Sequence, residues 1–217
     1  MSTNLKVSAA LVAAFAAVVA AFLVLGRSDS RSSADGGAAG DERVVREDSH
    51  RLGEPGAGDV TLVEFLDFEC EACASVYPFV EQLREDYAGQ VTFVARYMPM
   101  PGHANAQNAA VAVEAAAQQG QFEAMYHQMY ETQAEWGEQQ ESEAALFRTF
   151  AQDLGLDMAA YDDAVTDPAT LERVLADRDD GLALGVEGTP TFFLNGEKLE
   201  VTTTTEFVEQ IEAALDE

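Results

Sequence analysis

The sequence predicts an α/β domain of order β-α-β, several helices, then β-β-α, preceded by one apolar N-terminal helix. Two dense apolar runs, Val60–Phe68 and Val91–Tyr97, flank a segment in which Val76, Phe79, Val80, Leu83 and Tyr87 recur at helical spacing. Such a strand-helix-strand unit closes with a right-handed crossover, so its two strands run parallel. Near the C-terminus, Thr191–Leu194 and Lys198–Val201 flank Asn195-Gly196, a strong short-hairpin signal, and an amphipathic stretch follows.

From the N-terminus, residues 1–6 form a short flank. Val7–Leu25 then runs for about 19 residues without a charge, enough for a helix to cross the ~30 Å hydrocarbon core. That length exceeds a typical signal-peptide core, and Val24-Leu25-Gly26-Arg27 offers no small-x-small cleavage site. Residues 7–26 are therefore expected to be an uncleaved transmembrane signal anchor. Residues 27–50, rich in Ser, Gly, Ala and charge, read as a flexible linker, and residues 51–217 as one domain with its own core.

Within that domain, the first strand gives way to a helix at Cys70-Glu71-Ala72-Cys73, which holds the only two cysteines of the chain. C-x-x-C spacing serves thiol–disulfide exchange or half of a zinc site. Only His50, His103 and His127 remain as nitrogen ligands, and none has finger-type spacing, so no metal is expected. A structural bridge closing so short a loop would remove little chain entropy. Redox exchange is the leading expectation. At a helix N-terminus the unpaired N–H groups favour a Cys70 thiolate, while Glu69 and Glu71 oppose it, and Cys73, one turn on, is the resolving thiol.

After Tyr97, the parallel topology brings Met98–His103 to the edge that bears Cys70, where Met98, Pro99, Met100 and Pro101 offer an apolar rim for unfolded substrates. His103 is a possible stabiliser of the thiolate, weighed against a surface histidine at a helix start. Ala104–Gln119 is alanine-rich; Phe122, Met125, Tyr126 and Met129, then Leu146, Phe147, Phe150 and Leu154, form helical stripes, with short helices around Met158–Val165 and Leu171–Leu184. These make a helical insertion, about 104–185, in which Trp136 plugs the core. Thr203 with Glu206 forms a capping box for a last helix bearing Phe207, Val208, Ile211 and Leu215.

Composition limits the function. A formal charge of −27 with 47% hydrophobic residues describes a globular but strongly acidic chain, repelled by nucleic acid and anionic lipid.

The order of elements and four motif positions resemble the thioredoxin superfamily, and within it the DsbA-like branch with a helical insertion between βαβ and ββα halves, over about Asp59–Glu217. Cys70 and Cys73 match the redox pair, and Pro78 the proline that kinks the active-site helix. Thr189-Pro190 matches the cis-proline loop that positions an extended substrate, and Glu64 the buried carboxyl that takes the proton of Cys73. The resemblance implies a thioredoxin fold and an extracytoplasmic, single-pass membrane oxidoreductase needing no bound cofactor. It further implies exported cysteine-containing proteins as substrates and a quinone-linked membrane oxidase or reductase as partner. The oxidase direction is favoured; a reductase or isomerase, and in another class a membrane-tethered chaperone, are the alternatives. Glu71-Ala72 departs from the strongly oxidising pattern, whose dipeptide typically contains histidine, and leaves the direction open.

Overall fold

The computed structural model describes residues 42–217. Residues 7–26, read as the membrane anchor, and most of the linker lie outside them. Among the described residues no helix is long and apolar enough to cross a membrane.

Among the described residues five strands form one mixed sheet of order β1-β3-β2-β4-β5, with β1 at His50–Arg51. β2 (Thr61–Leu66) and β3 (Thr92–Tyr97) are parallel in the register Glu64 to Ala95, and α1 (Glu71–Asp86) makes the crossover. β4 (Thr191–Leu194) runs antiparallel to β2 on its other side and turns into β5 (Glu197–Lys198) through Asn195 and Gly196. Both turn residues take positive φ, 50° and 87°, which asparagine and glycine tolerate and which matches the twist of a tight hairpin. The last strand is shorter than the predicted Lys198–Val201 and starts one residue earlier: ladder pairing covers Glu197–Lys198, after which one bond, Leu199 N–H to Phe192 O, remains.

Between the halves lie α2 (Ala106–Ala117), α3 (Phe122–Glu131), α4 (Gln133–Trp136), α5 (Ala144–Asp153), α6 (Met158–Thr166) and α7 (Pro168–Ala183), and α8 (Thr204–Leu215) ends the fold. Trp136 is fully buried and meets Phe147 edge-to-face at 4.8 Å. One capping detail differs. Glu206 N–H donates to Thr203 Oγ1, but the Glu206 carboxylate reaches back one residue further, to Thr202 N–H and Oγ1.

Each face of the sheet has its own core. Leu62, Leu66, Phe93, Ala95 and Tyr97 face α1 and the helical insertion, whereas Val63, Phe65, Val94 and Phe193 face α7. α7 approaches closely because of Gly181, where a Cβ would come within 3.0 Å of Met98 Sδ and Phe65 Cδ1.

The predicted linker ends earlier than residue 50. β1 (His50–Arg51) pairs antiparallel with β3, and Val44 is buried. Arg46 forms an ion pair with Asp180 of α7, and Val44 O accepts from buried Arg96. Composition concealed this, because a segment with one apolar anchor and several charges docks only when its ion partners are supplied from elsewhere in the fold.

Candidate active site

β2 delivers the chain to the edge of the sheet, and the turn Asp67–Cys70 converts strand to helix. Cys70 is the N-cap of α1, with extended φ/ψ of −69° and 119°. Cys70 N–H donates to Asp67 O at 3.1 Å, and Gln133 Nε2 donates to Phe68 O and Cys70 O at 3.1 and 2.8 Å. The turn is thus pinned from α4, a contact no sequence motif announces. Pro78 lies inside α1.

Both cysteines are buried. Cys70 Sγ lies 3.3 Å from Thr189 O, and the Thr189–Pro190 bond is cis. The fold therefore brings Thr189-Pro190, 119 residues downstream, against the first cysteine. The Cys70 thiol is pulled down to about 5, first by the hydrogen bond from the Cys73 thiol, then, against burial, by Thr189 and the N–H groups of Cys73 and Ala72. Thr189 Oγ1 is buried without another hydrogen-bond partner among the described residues, which leaves it free to donate to the thiolate. Cys73 is the opposite case. Burial, the bond to Cys70 and the charge of Glu64 push its thiol far up, so it stays protonated.

Glu64 sits in β2 between Ala95 and Phe192 of the flanking strands, 6% exposed. No donor among the described residues bonds its carboxyl. Burial first, then the charges of Glu81 and Cys70, raise it to about 8, a proton affinity suited to exchange near neutrality. An outward-facing Glu64 is ruled out because both faces of this central strand are covered.

His103 bonds Asp67 rather than Cys70: Nδ1 lies 2.6 Å from Asp67 Oδ2. Asp67 also accepts from Met100 N–H and Glu69 N–H, both at 2.9 Å. Glu69 turns inward and accepts from Asn105 N–H at 2.5 Å, clamping the start of α2 to the start of α1. Asp67 is the residue sequence reasoning missed. Its signal was a second carboxyl in the apolar run of Glu64, but its partner 36 positions away was not legible.

The expected apolar rim at Met98–Pro101 requires correction. Met98 and Pro99 are buried, Met98 against Gly181 of α7, and only Met100 and Pro101 reach the surface. The apolar surface lies instead on the Pro190 side: a groove of about 310 Å³ whose lining includes Val76, Phe79, Pro190, Phe192, Val201 and Phe207. Among the described residues no group of three His, Cys, Asp or Glu side chains is placed to hold a metal ion.

Known proteins with this fold are readily found. The family model for Thioredoxin (Thioredoxin_4) matches residues 46–216. Among solved structures, a thioredoxin-like oxidoreductase from Silicibacter pomeroyi DSS-3 superposes with a TM-score of 0.68 at 24% identity, covering 82% of this chain and 99% of that one. BdbD from Bacillus subtilis (oxidised) gives 0.68 at 20% identity, covering 82% and 96%, and the thiol-disulfide exchange protein alpha-DsbA2 from Wolbachia pipientis gives 0.66 at 18%, covering 80% and 90%. Of curated proteins, the Na(+)/H(+) antiporter NhaA 3 of Salinispora tropica is 36% identical over 155 residues, which are 71% of this chain and 23% of the antiporter. NhaA 1 of Mycolicibacterium gilvum is 34% identical over 157 residues, 70% and 24%. The chain spans about a quarter of the length of these relatives.

Proposed function

This chain belongs to the thioredoxin family, and we propose that it is a DsbA-like protein thiol–disulfide oxidoreductase acting through Cys70 and Cys73. The observation that carries the reading is the asymmetry of the pair, a stabilised thiolate at Cys70 beside a buried protonated thiol at Cys73. In the oxidising direction a substrate thiolate attacks Sγ of Cys70 in the disulfide, and Cys73 leaves and takes a proton. The second substrate thiolate then attacks the substrate sulfur of the mixed disulfide. The substrate leaves as its disulfide and Cys70 departs as thiolate, the easier because a low-pKa thiol is a good leaving group. Glu64 gives and receives the proton of Cys73. The Pro190 groove takes the apolar side chains that flank a substrate cysteine.

Stabilising the reduced form makes a pair oxidising, so the low Cys70 pKa favours an oxidase over a reductase or isomerase. Here the stabilisation comes from Cys73, Thr189 and the helix N-terminus instead of the Glu71-Ala72 side chains. The further proposal is a domain tethered by residues 7–26 outside the cytoplasm, oxidising exported proteins and recycled by a quinone-linked membrane partner; the charge-free run at 7–25 supports the tether. Ion transport is not carried over from the antiporters, of which the chain spans only about a quarter.

Equilibration with glutathione tests the direction. A reduction potential nearer the about −120 mV of DsbA than the about −270 mV of thioredoxin supports the oxidase, and the reverse order rejects it. Cys70→Ser abolishes exchange with a peptide dithiol, and protease added to intact cells digests the domain if it is exported.

A further inference from the structure

Four carboxyl side chains, Glu64, Asp67, Glu69 and Glu71, lie within eight residues that include Cys70, and the first three are buried. Negative charge at this density disfavours a thiolate. Among the described residues, one ionisable donor is hydrogen-bonded to any of the four, and that is His103, on Asp67. Asp67 is also the residue about which the cysteine pair is built. Its carbonyl accepts from Cys70 N–H, its own N–H supports the Cys73 sulfur, and its carboxylate holds Met100, Glu69 and His103. The imidazole is therefore tied to the redox pair by a chain of short bonds, though it comes from the loop after β3.

We infer that His103, held by Asp67, is a positioning residue that supplies the positive charge balancing the Cys70 thiolate and couples the oxidation state of the cysteine pair to proton binding on its ring. The inference rests on the oxidoreductase reading and adds to it where the counter-charge comes from. The groups facing His103 are Asp67 at the end of β2, Glu69 in the turn before α1, and Cys70 at the N-cap of α1. Burial lowers the proton affinity of the ring, but the bond to Asp67 and the charges of Asp67, Cys70 and Glu69 outweigh it and leave it raised.

The bookkeeping of one turnover shows the consequence. A substrate dithiol gives two electrons to the Cys70–Cys73 bond, which breaks, and the two substrate sulfurs join. Of the two protons released, one goes to Cys73. Cys70 remains a thiolate, so the second is shared between solvent and His103, whose affinity is higher while that thiolate is present. Oxidation removes the thiolate, and the ring loses affinity.

The test is a pH titration of the His103 Cε1–H resonance by NMR, in protein reduced with a chemical dithiol and in protein oxidised to the intramolecular disulfide. The expected result is a midpoint higher in the reduced form by roughly half a unit or more. Equal midpoints in the two forms overturn the inference. A second arm follows the Cys70 thiolate absorbance against pH. His103→Gln moves its midpoint up by about one unit, and His103→Lys, which keeps a cation, restores most of the shift. A profile unchanged in His103→Gln, or equally displaced in His103→Lys, rejects an electrostatic role. Exchange with a peptide dithiol on the same wild-type sample separates the two levels. If exchange is absent, the oxidoreductase reading fails; if exchange is present and the His103 midpoint is fixed, only this inference fails.

Discussion

Two buried acidic clusters, one on the α7 face of the sheet and one at its cysteine end, are treated differently. On the α7 face, Asp177 and Asp180 meet Arg96, Arg46 and Arg173: Arg96 Nη2 lies 2.9 Å from Asp177 Oδ1 and 2.6 Å from Asp180 Oδ2, and Arg173 Nη1 lies 2.5 Å from Asp177 Oδ1. Two carboxylates thus have three guanidinium groups, and Arg96 Nη1 also donates to the carbonyls of Arg43 and Val44, while its buried Nε has no partner among the described residues. At the cysteine end, Asp67 alone meets an imidazole, Glu69 accepts from the backbone N–H of Asn105, and Glu64 has no bonded partner among the described residues. Pairing of every carboxylate with guanidinium groups fixes geometry. Incomplete pairing displaces proton affinities, and displaced affinities are what a thiol–disulfide site uses.

The largest effect that would break this contrast lies in the paired cluster. Arg96→Met leaves two buried carboxylates short of a counter-ion and should lower unfolding free energy by about 3–5 kcal/mol in urea, while the Cys70 pH profile of the folded protein stays in place. A loss below about 1 kcal/mol would show the network to be incidental. Next comes Glu64. Its carboxyl rises from an ordinary 4.5 to about 8 on folding, so the native state holds a proton that the unfolded chain has released. The resulting stability is complete below pH 4.5 and is lost as pH climbs through 8. Glu64→Gln should abolish that decline, leaving the variant roughly 2–4 kcal/mol more stable than wild type near pH 8, yet should slow resolution of the mixed disulfide by Cys73 about 10²-fold. A variant with wild-type resolution kinetics would remove Glu64 from the proton path.

Smaller effects sharpen the contrast. Thr189→Val removes the hydroxyl beside Sγ, and thiolate absorbance should then titrate higher by roughly half to one unit, with folding stability little changed. Arg46→Ala releases the segment ahead of β1. Its side chain is nearly half exposed, so the expected cost is only about 1 kcal/mol, read as faster amide exchange at Leu52, whose N–H bonds Phe93 O. Unchanged exchange would mean that β1 pairing alone holds this segment.

Much of the scaffold was legible because it depends on local pattern. Apolar runs gave β2 and β3, helical stripes gave the insertion, and Asn195-Gly196 gave the hairpin, each through a period or a turn preference that needs no distant partner. The departures share one cause. Residues 42–50 look like linker until Arg46 finds Asp180, 134 positions away; Met98 looks like part of a surface rim until α7 lies on it through Gly181.

The site divides along the same line. Cys70, Cys73, Pro78, Glu64 and Thr189-Pro190 stand out in the sequence by spacing and by family resemblance. The strand-to-helix transition that places Cys70 at an N-cap follows from local preference. Which groups touch does not. That Cys70 meets Thr189, that Gln133 pins the turn, and that His103 closes on Asp67 were decided by packing a helical insertion onto a sheet edge. Periodicity in a chain states which face each residue presents, but the distance between two presented side chains is set only when separate elements come into contact.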